Sequence, residues 1–262
     1  PALSAAIESG KVLPVYILDD INSKDHKMGE ASRWWLHHSL INLNEKLNGK
    51  LSFYNDDPSK VFEELIKQYD VNSIFWNRCY EPWRIKRDKD LKIDLEKKNI
   101  NIETYNGSLL WEPWKVLKSD GTPYRVFSPY YKRGCLGATP PREPIKQPDL
   151  ENIISNSFDN LTLSDLNLLP DVKWFNEMEK IWKPGEDGAK DKLHLFLDNG
   201  LLGYKEGRNF PSRKNVSQLS PHMHFGEVSP NQVWYGAQLK EGEKGIDNCL
   251  LYTSPSPRDK HR

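Results

Sequence analysis

The stretch Tyr204–Pro230, YKEGRNFPSRKNVSQLSPHMHFGEVSP, is the most patterned part of the chain. It places Tyr204, Arg208, Ser217 and Ser220 ahead of Ser220-Pro221 and Ser229-Pro230, with Gly226 between the two Ser-Pro steps. Proline suits the first position of a helix, and serine suits the cap before it, so each step predicts a helix start. A helix start offers unpaired N–H groups and the positive end of a dipole, which favours phosphate. Arg208 adds a forked guanidinium that can grip a phosphate from two sides or, equally, serve a structural ion pair. Taken alone, S-x-x-S-P is simply a cap. Its neighbours give the pattern its chemical content.

Outward from this stretch, the first hundred residues alternate between short apolar runs and helical periods. Lys11–Asp19, Leu51–Tyr54, Asn72–Asn77 and Asn101–Tyr105 read as strands. Pro1–Ser9, Glu30–Leu47, Pro58–Tyr69 (after Asp57) and Glu81–Lys98 read as helices. Strict alternation predicts right-handed crossovers and a parallel, Rossmann-like α/β sheet flanked by helices. From Gly107 onward turn signals dominate, and Pro140, Pro141, Pro144, Pro148 and Pro170 suggest an interdomain connector. Beyond it only helical patterns remain, at Trp174–Trp182 and Gly185–Asn199. The expected segmentation is an α/β domain at 1–130, a connector at 131–170 and a helical domain over 171–248. The last stretch, 249–262 (CLLYTSPSPRDKHR), departs from this pattern and resembles a translated cloning adapter.

Composition limits the function classes. The 37 basic and 37 acidic residues cancel, so any attraction to nucleic acid must be local. Three cysteines, Cys79, Cys135 and Cys249, form no disulfide framework or metal cluster. With no signal peptide and no apolar run of ~20 residues, a soluble cytoplasmic protein is expected. His222 and His224 lack further ligands at zinc spacing, so no metal is expected. In Lys86–Lys92 acidic residues interrupt the basic ones, which marks a solvated helix face.

The blocks Gly29–Leu40 (GEASRWWLHHSL), Asn77–Trp83 (NRCYEPW), Gly107–Pro113 (GSLLWEP), Gly121–Tyr130 (GTPYRVFSPY) and Tyr204–Pro230 occur in this order. Together they resemble the DNA photolyase/cryptochrome family, most closely the microbial class I photolyases of cyclobutane pyrimidine dimers. The resemblance covers roughly residues 1 to 248. It implies an α/β antenna domain followed by the start of an all-helical FAD-binding domain. It also implies flavin contacts at Tyr204, Arg208, Val216, Ser217, Gln218, Leu219 and Ser220. Many relatives carry threonine where Val216 stands, which leaves only backbone to contribute there. Asn77, Tyr80 and Glu81 match a block that faces a folate (methenyltetrahydrofolate) antenna in some relatives, while others use a deazaflavin. Glu81-Pro82 equally reads as a plain helix start, where an acid complements the dipole.

The resemblance further implies light-driven, FAD-dependent repair of pyrimidine dimers in DNA by a monomer. It places a strand before Pro1 in the middle of the sheet and the catalytic residues after the helix ending near Lys240. A fragment without activity of its own is therefore expected, with both ladders beside the omitted strand exposed. Two other readings remain open: a cryptochrome that signals through partners, and a non-functional gene remnant. A nucleotide-binding α/β protein unrelated to light would account for the first 130 residues but not for Tyr204–Pro230.

Overall fold

The computed structural model describes residues 1–158 and 161–241; the 249–262 stretch and Cys249 lie outside the described residues. The chain divides into two compact units. One comprises Pro1–Gly107 with Lys146–Gly188, and the other Ser108–Ile145 with the chain from Ala189 onward. These lines differ from the sequence segmentation, because part of the proline-rich stretch packs back onto the first unit. There Ile153 is buried and its carbonyl accepts from Lys50 Nζ at 2.7 Å. The Tyr69 hydroxyl donates to Asn156 at 2.6 Å.

The first unit runs α1 (Ala2–Ser9), β1 (Val15–Ile17), α2 (Glu30–Lys46), β2 (Ser52–Tyr54), α3 (Pro58–Gln68), β3 (Ser73–Asn77), α4 (Pro82–Lys97) and β4 (Asn101–Tyr105). The expected alternation is present, and both strand pairs are parallel. Val15 to Ile17 stand opposite Ser52 to Tyr54, and Ser73 to Asn77 opposite Asn101 to Tyr105. The Asp57 carboxylate caps α3 by accepting the Ser59 N–H at 2.8 Å, with Pro58 in the first turn.

The strands form two small parallel sheets, β1-β2 and β3-β4, each of two strands. The strand expected over Lys11–Asp19 shrinks to Val15–Ile17. The hydrogen bonds explain which ladders stay open. Ser52 N–H donates to the Pro14 carbonyl and Leu18 N–H to the Tyr54 carbonyl, so the even-numbered groups of β1 face β2. Asn101 N–H donates to Asn72, and Arg78 N–H to Tyr105, so the even-numbered groups of β3 face β4. In a parallel ladder the intervening residues direct their N–H and C=O groups to the opposite edge. Val15, Ile17, Ser73 and Phe75 therefore present open ladders.

An aromatic cluster compensates for such small sheets. Trp34 stacks on Phe175 with ring centroids 6.3 Å apart, and Trp35 meets Trp182 edge-on at 5.3 Å. Trp34 and Trp35 are both buried on α2, and such ring pairs stabilise by about 0.5–1.5 kcal/mol beyond their area. Trp174 donates to Glu30 at 2.9 Å. Residues 174–182, expected to form one helix, hold only the six-residue α6 (Asn176–Ile181), and Phe175 is the buried anchor.

The second unit contains a three-residue turn, α5 (Phe127–Pro129), that runs into a π turn at Tyr130–Cys135. It also contains α8 (Tyr204–Gly207), α9 (Ser220–His224) and α10 (Pro230–Glu241). Helix α7 (Glu186–Leu195) continues into a π turn at Phe196–Gly200. The core of this unit gathers Leu110, Tyr131, Phe196, Tyr204, Leu219 and Trp234. No helix of the described residues is long and apolar enough to cross a membrane.

Two measurements test this account. Amide exchange should be faster at Val15, Ile17 and Phe75 than at Tyr16, Ile74 and Trp76; uniform protection would show that the two sheets are joined. Burial depresses the pKa of His38 below its ordinary 6.5, with Glu179 opposing, and burial with His38 does the same to His37. A depressed folded-state pKa means the unfolded chain binds more protons, so stability rises with pH through that window. The first unit should lose stability as pH falls below 6.5. Tryptophan fluorescence during urea unfolding reads this, and His37→Gln with His38→Gln should flatten the dependence.

Candidate functional site

The stretch that opened the sequence reading lies wholly in the second unit. Gly203, at φ +80°, turns the chain into α8, so the Tyr204 ring enters the core and packs edge-on against Phe196 at 6.0 Å. Burial raises the Tyr204 phenol pKa, and nearby Arg208 opposes the rise. Arg208 lies over the Tyr204 ring at 5.5 Å, with a guanidinium nitrogen 3.4 Å from the phenol oxygen. The ring supports the guanidinium from beneath and leaves its other donors to solvent.

Two residues that sequence reasoning missed set the return of the chain. The Asn215 amide donates to the Gly200 carbonyl at 3.0 Å and to the Leu202 carbonyl at 3.2 Å. Gly207 lies against the same side chain; a Cβ there would stand 2.2 Å from Asn215 Oδ1. The absence of a side chain at residue 207 lets the segments around 204–208 and 215–220 approach each other. A glycine in a helical register three residues after Tyr204 was the available signal.

Beyond Asn215 the backbone adopts an unusual course. Val216 is half exposed, Ser217 is buried, Gln218 takes φ +56°, and Leu219 is buried at φ −86°, ψ −9°. A left-handed residue followed by a right-handed one converges successive N–H groups into a small anion-binding concavity. Among the described residues no acceptor takes the N–H of Ser217, Gln218 or Ser220, and the Leu219 N–H reaches only Ser217 Oγ at 3.4 Å. Positive φ is costly at a non-glycine residue and tends to occur where the fold enforces it. Leu219 in the core supplies that enforcement. Gln218 itself is exposed, and its side-chain Oε1 accepts from Lys192 Nζ at 2.7 Å.

The two Ser-Pro steps behave differently. Ser229 caps α10 reciprocally, accepting from the Gln232 N–H at 3.2 Å while its own N–H donates to Gln232 Oε1 at 2.8 Å. Ser220 instead opens a five-residue turn with no side-chain cap. The anion capacity therefore rests on the concavity at Gln218 more than on a helix dipole. His222 is buried with Nδ1 2.5 Å from Glu227 Oε2, which pins the turn to the chain that follows Gly226. Among the described residues no group of three or more His, Cys, Asp or Glu side chains is placed to hold a metal.

Asn77, Tyr80 and Glu81 lie in the first unit, each with local partners. Asn77 ends β3, and its Oδ1 accepts the Ala2 N–H at 3.3 Å. The Tyr80 hydroxyl lies 3.4 Å from Asn106 Oδ1. Glu81 holds the cap position of α4 and pairs with Arg84 at 3.7 Å. The sequence reading overlooked a charged group close by. Arg84 and Arg87 both lie over the Trp83 ring, at 5.1 and 5.3 Å, and Arg87 also reaches Asp19 at 3.0 Å. Asp19 and Asp20 follow β1, and Arg33 pairs with Asp20. The carboxyl ends of parallel strands are where open α/β sheets bind ligands.

The DNA photolyase family model matches residues 1–149. The chain belongs to the DNA photolyase family. A deoxyribodipyrimidine photo-lyase of Agrobacterium fabrum is 38% identical over 242 residues, covering 90% of this chain and 50% of that protein. Cryptochrome-1 of Arabidopsis thaliana is 28% identical, covering 92% of this chain and 36% of that protein. A solved bacterial class III photolyase from Agrobacterium tumefaciens superposes with a TM-score of 0.84 at 35% identity, over 94% of this chain and 52% of that one. The chain thus spans about half the length of the curated photolyase it matches at 38% identity. The family resemblance expected from the sequence is borne out. The solved relative is described as class III, whereas the motif blocks had suggested class I.

The clash at residue 207 gives a direct test. Gly207→Ala should dislodge Asn215 and loosen the loop to Ser217, so trypsin should cut after Arg208, Arg213 or Lys214 several-fold faster. Unchanged cleavage would mean that Asn215 is not the restraint.

Proposed function

We propose that the chain serves a deoxyribodipyrimidine photolyase: light-driven, FAD-dependent splitting of cyclobutane pyrimidine dimers in DNA. The observation that carries this reading is the concavity at Ser217–Ser220, with unclaimed N–H groups on an enforced backbone. In it, Ser217, Gln218, Leu219 and Ser220 receive the flavin pyrophosphate. Arg208, braced on Tyr204, adds a guanidinium, and Val216 contributes backbone alone. These residues fit the group by donor chemistry: convergent N–H donors, hydroxyls and a cation suit a diphosphate.

When bound, the flavin supplies light absorption and electron transfer, while the protein positions it. What this chain contributes is anchoring. Ser217 is fixed by burial, Leu219 by the core, and the turn after them by the His222–Glu227 pair. A structure of an archaeal photolyase from Sulfolobus tokodaii, 21% identical, is described as having two FAD molecules, with the implication of a novel light-harvesting cofactor. For the first unit we propose a flat antenna, a folate or a deazaflavin, beside Asn77, Tyr80 and Glu81. Trp83 and the arginines above it provide a stacking surface and positive charge for such a ligand.

The purified chain should show flavin absorption in the visible region, and heat should release FAD. Ser217→Ala with Ser220→Ala should weaken FAD binding about tenfold, the scale of losing one hydrogen bond to a charged group. A colourless protein that gains no flavin on reconstitution would count against the assignment of these residues. Blue-light-dependent loss of dimers from irradiated oligonucleotides tests the repair reading. Because the chain spans about half of the photolyase it matches, bound flavin without repair would show that this half anchors the flavin without carrying the reaction by itself.

A further inference from the structure

Gln218 stands apart from Asn48, Asn99 and Asn167, which also take positive φ. Asn48 and Asn99 follow the ends of α2 and α4, and Asn167 closes a 3-10 turn. Asparagine tolerates the left-handed region because its short side chain can bond nearby backbone. Asn167 does so by donating to the Asp165 carbonyl at 3.1 Å. Gln218, at φ +56°, ends no helix and carries a longer side chain. Its conformation needs support from elsewhere.

That support comes from α7. Gln218 Oε1 accepts from Lys192 Nζ at 2.7 Å, 26 positions earlier, and among the described residues its side chain makes no other hydrogen bond. Lys192 belongs to the last turn of α7, where a cation also complements the helix dipole. The dipole asks only that the charge lie near the last carbonyls; it does not call for a bond to a distant loop. Ala189, Leu193 and Phe196, on either side of Lys192, are buried in the same core that takes Leu219. One core thus fixes both the helix that carries Lys192 and the residue that follows Gln218. The direction of a side chain follows its own φ and ψ. If residue 218 relaxed to an ordinary negative φ, its side chain would swing away and the bond to Lys192 would be lost. The bond therefore favours the left-handed state, in which the N–H groups around it converge.

We propose that Lys192 is a positioning residue of the anion site: it holds Gln218 left-handed and keeps the N–H groups of residues 217–220 converged before a diphosphate arrives. The proposal rests on the flavin reading of that concavity and names a residue outside it on which its affinity depends. Such preorganisation raises affinity by removing the cost of ordering the loop on binding. Glycine takes positive φ without strain, so a chain with glycine at this position would need no tether.

The test titrates the purified chain with FAD. Lys192→Met should weaken binding about fivefold, the scale of one net hydrogen bond. Whatever affinity Gln218→Gly has by itself, adding Lys192→Met to it should cost nothing further. A lysine that acts on the anion by charge alone would cost the same factor in both backgrounds, and that result would overturn the proposal. So would a loss in neither background. The loop is also read without ligand: amide exchange at Ser217 and Leu219 should be several-fold faster in Lys192→Met than in the wild type, and equal in Gln218→Gly with and without Lys192→Met. If the wild type takes up no FAD, the flavin reading fails and exchange alone decides, with unchanged rates in Lys192→Met overturning the positioning role. Gln218 is exposed and Lys192 partly so, and circular dichroism should show every variant folded.

Discussion

The second unit depends on one side chain that takes no part in chemistry. By donating to the carbonyls of Gly200 and Leu202, Asn215 ties the end of the 208–215 loop to the turn after α7. Everything on either side inherits its position from that attachment. Upstream, Gly207 packs against Asn215, which fixes where α8 ends and where Arg208 emerges. Downstream, the chain has only three residues between Asn215 and the buried Leu219, so the backbone must turn sharply. The positive φ of Gln218 is the geometric consequence. An exposed anion-binding concavity thus arises from buried restraints, and its stiffness should exceed that of an ordinary surface loop.

The first unit solves a different problem. Two-stranded sheets are marginal in water, and these are only three and five residues long. Tertiary packing has to supply what the ladders do not. Trp34 and Trp35 present adjacent rings from α2, and Phe175 and Trp182 meet them from a segment more than a hundred residues later. That long return recruits Ile153 and Asn156 along the way, which is why prolines that look like a linker belong to a packed unit. The tryptophans of this unit thus serve core packing.

The sequence made the alternation of strands and helices legible because each element announces itself locally: Asp57-Pro58 starts α3, and apolar β-branched runs mark the strands. The length of each strand was less legible: the run Lys11–Asp19 yields only Val15–Ile17, because pairing ends where the partner strand does. The same division holds at the site. Tyr204, Arg208, Ser217 and Ser220 could be named from pattern and resemblance, because their donor chemistry is written in their side chains. Gly207, Asn215 and the His222–Glu227 pair could not, because their roles come from contacts made across a turn. Ser220-Pro221 illustrates the limit: the same two letters that cap a long helix at Ser229-Pro230 open only a five-residue turn there.

Charge makes the final connection between the parts. A neutral chain gains no long-range pull toward an anion, and surface charges separated by more than a Debye length of ~8 Å act nearly alone. On α4 the alternation of acids and bases cancels the field within a single turn of helix. On the segment that leads to the Gln218 concavity the situation reverses: Lys205, Arg208, Arg213, Lys214 and the backbone N–H groups all carry the same sign, with Glu206 the lone opposing charge. Clustering of one sign costs stability through self-repulsion, and a fold concerned only with its own stability would have interspersed acids, as α4 does. The cost is kept small by two rings, Tyr204 and Phe210, each of which faces a guanidinium with its negative π surface. Aromatic support in place of carboxylate support leaves the positive charge unneutralised and available to an anion at the concavity.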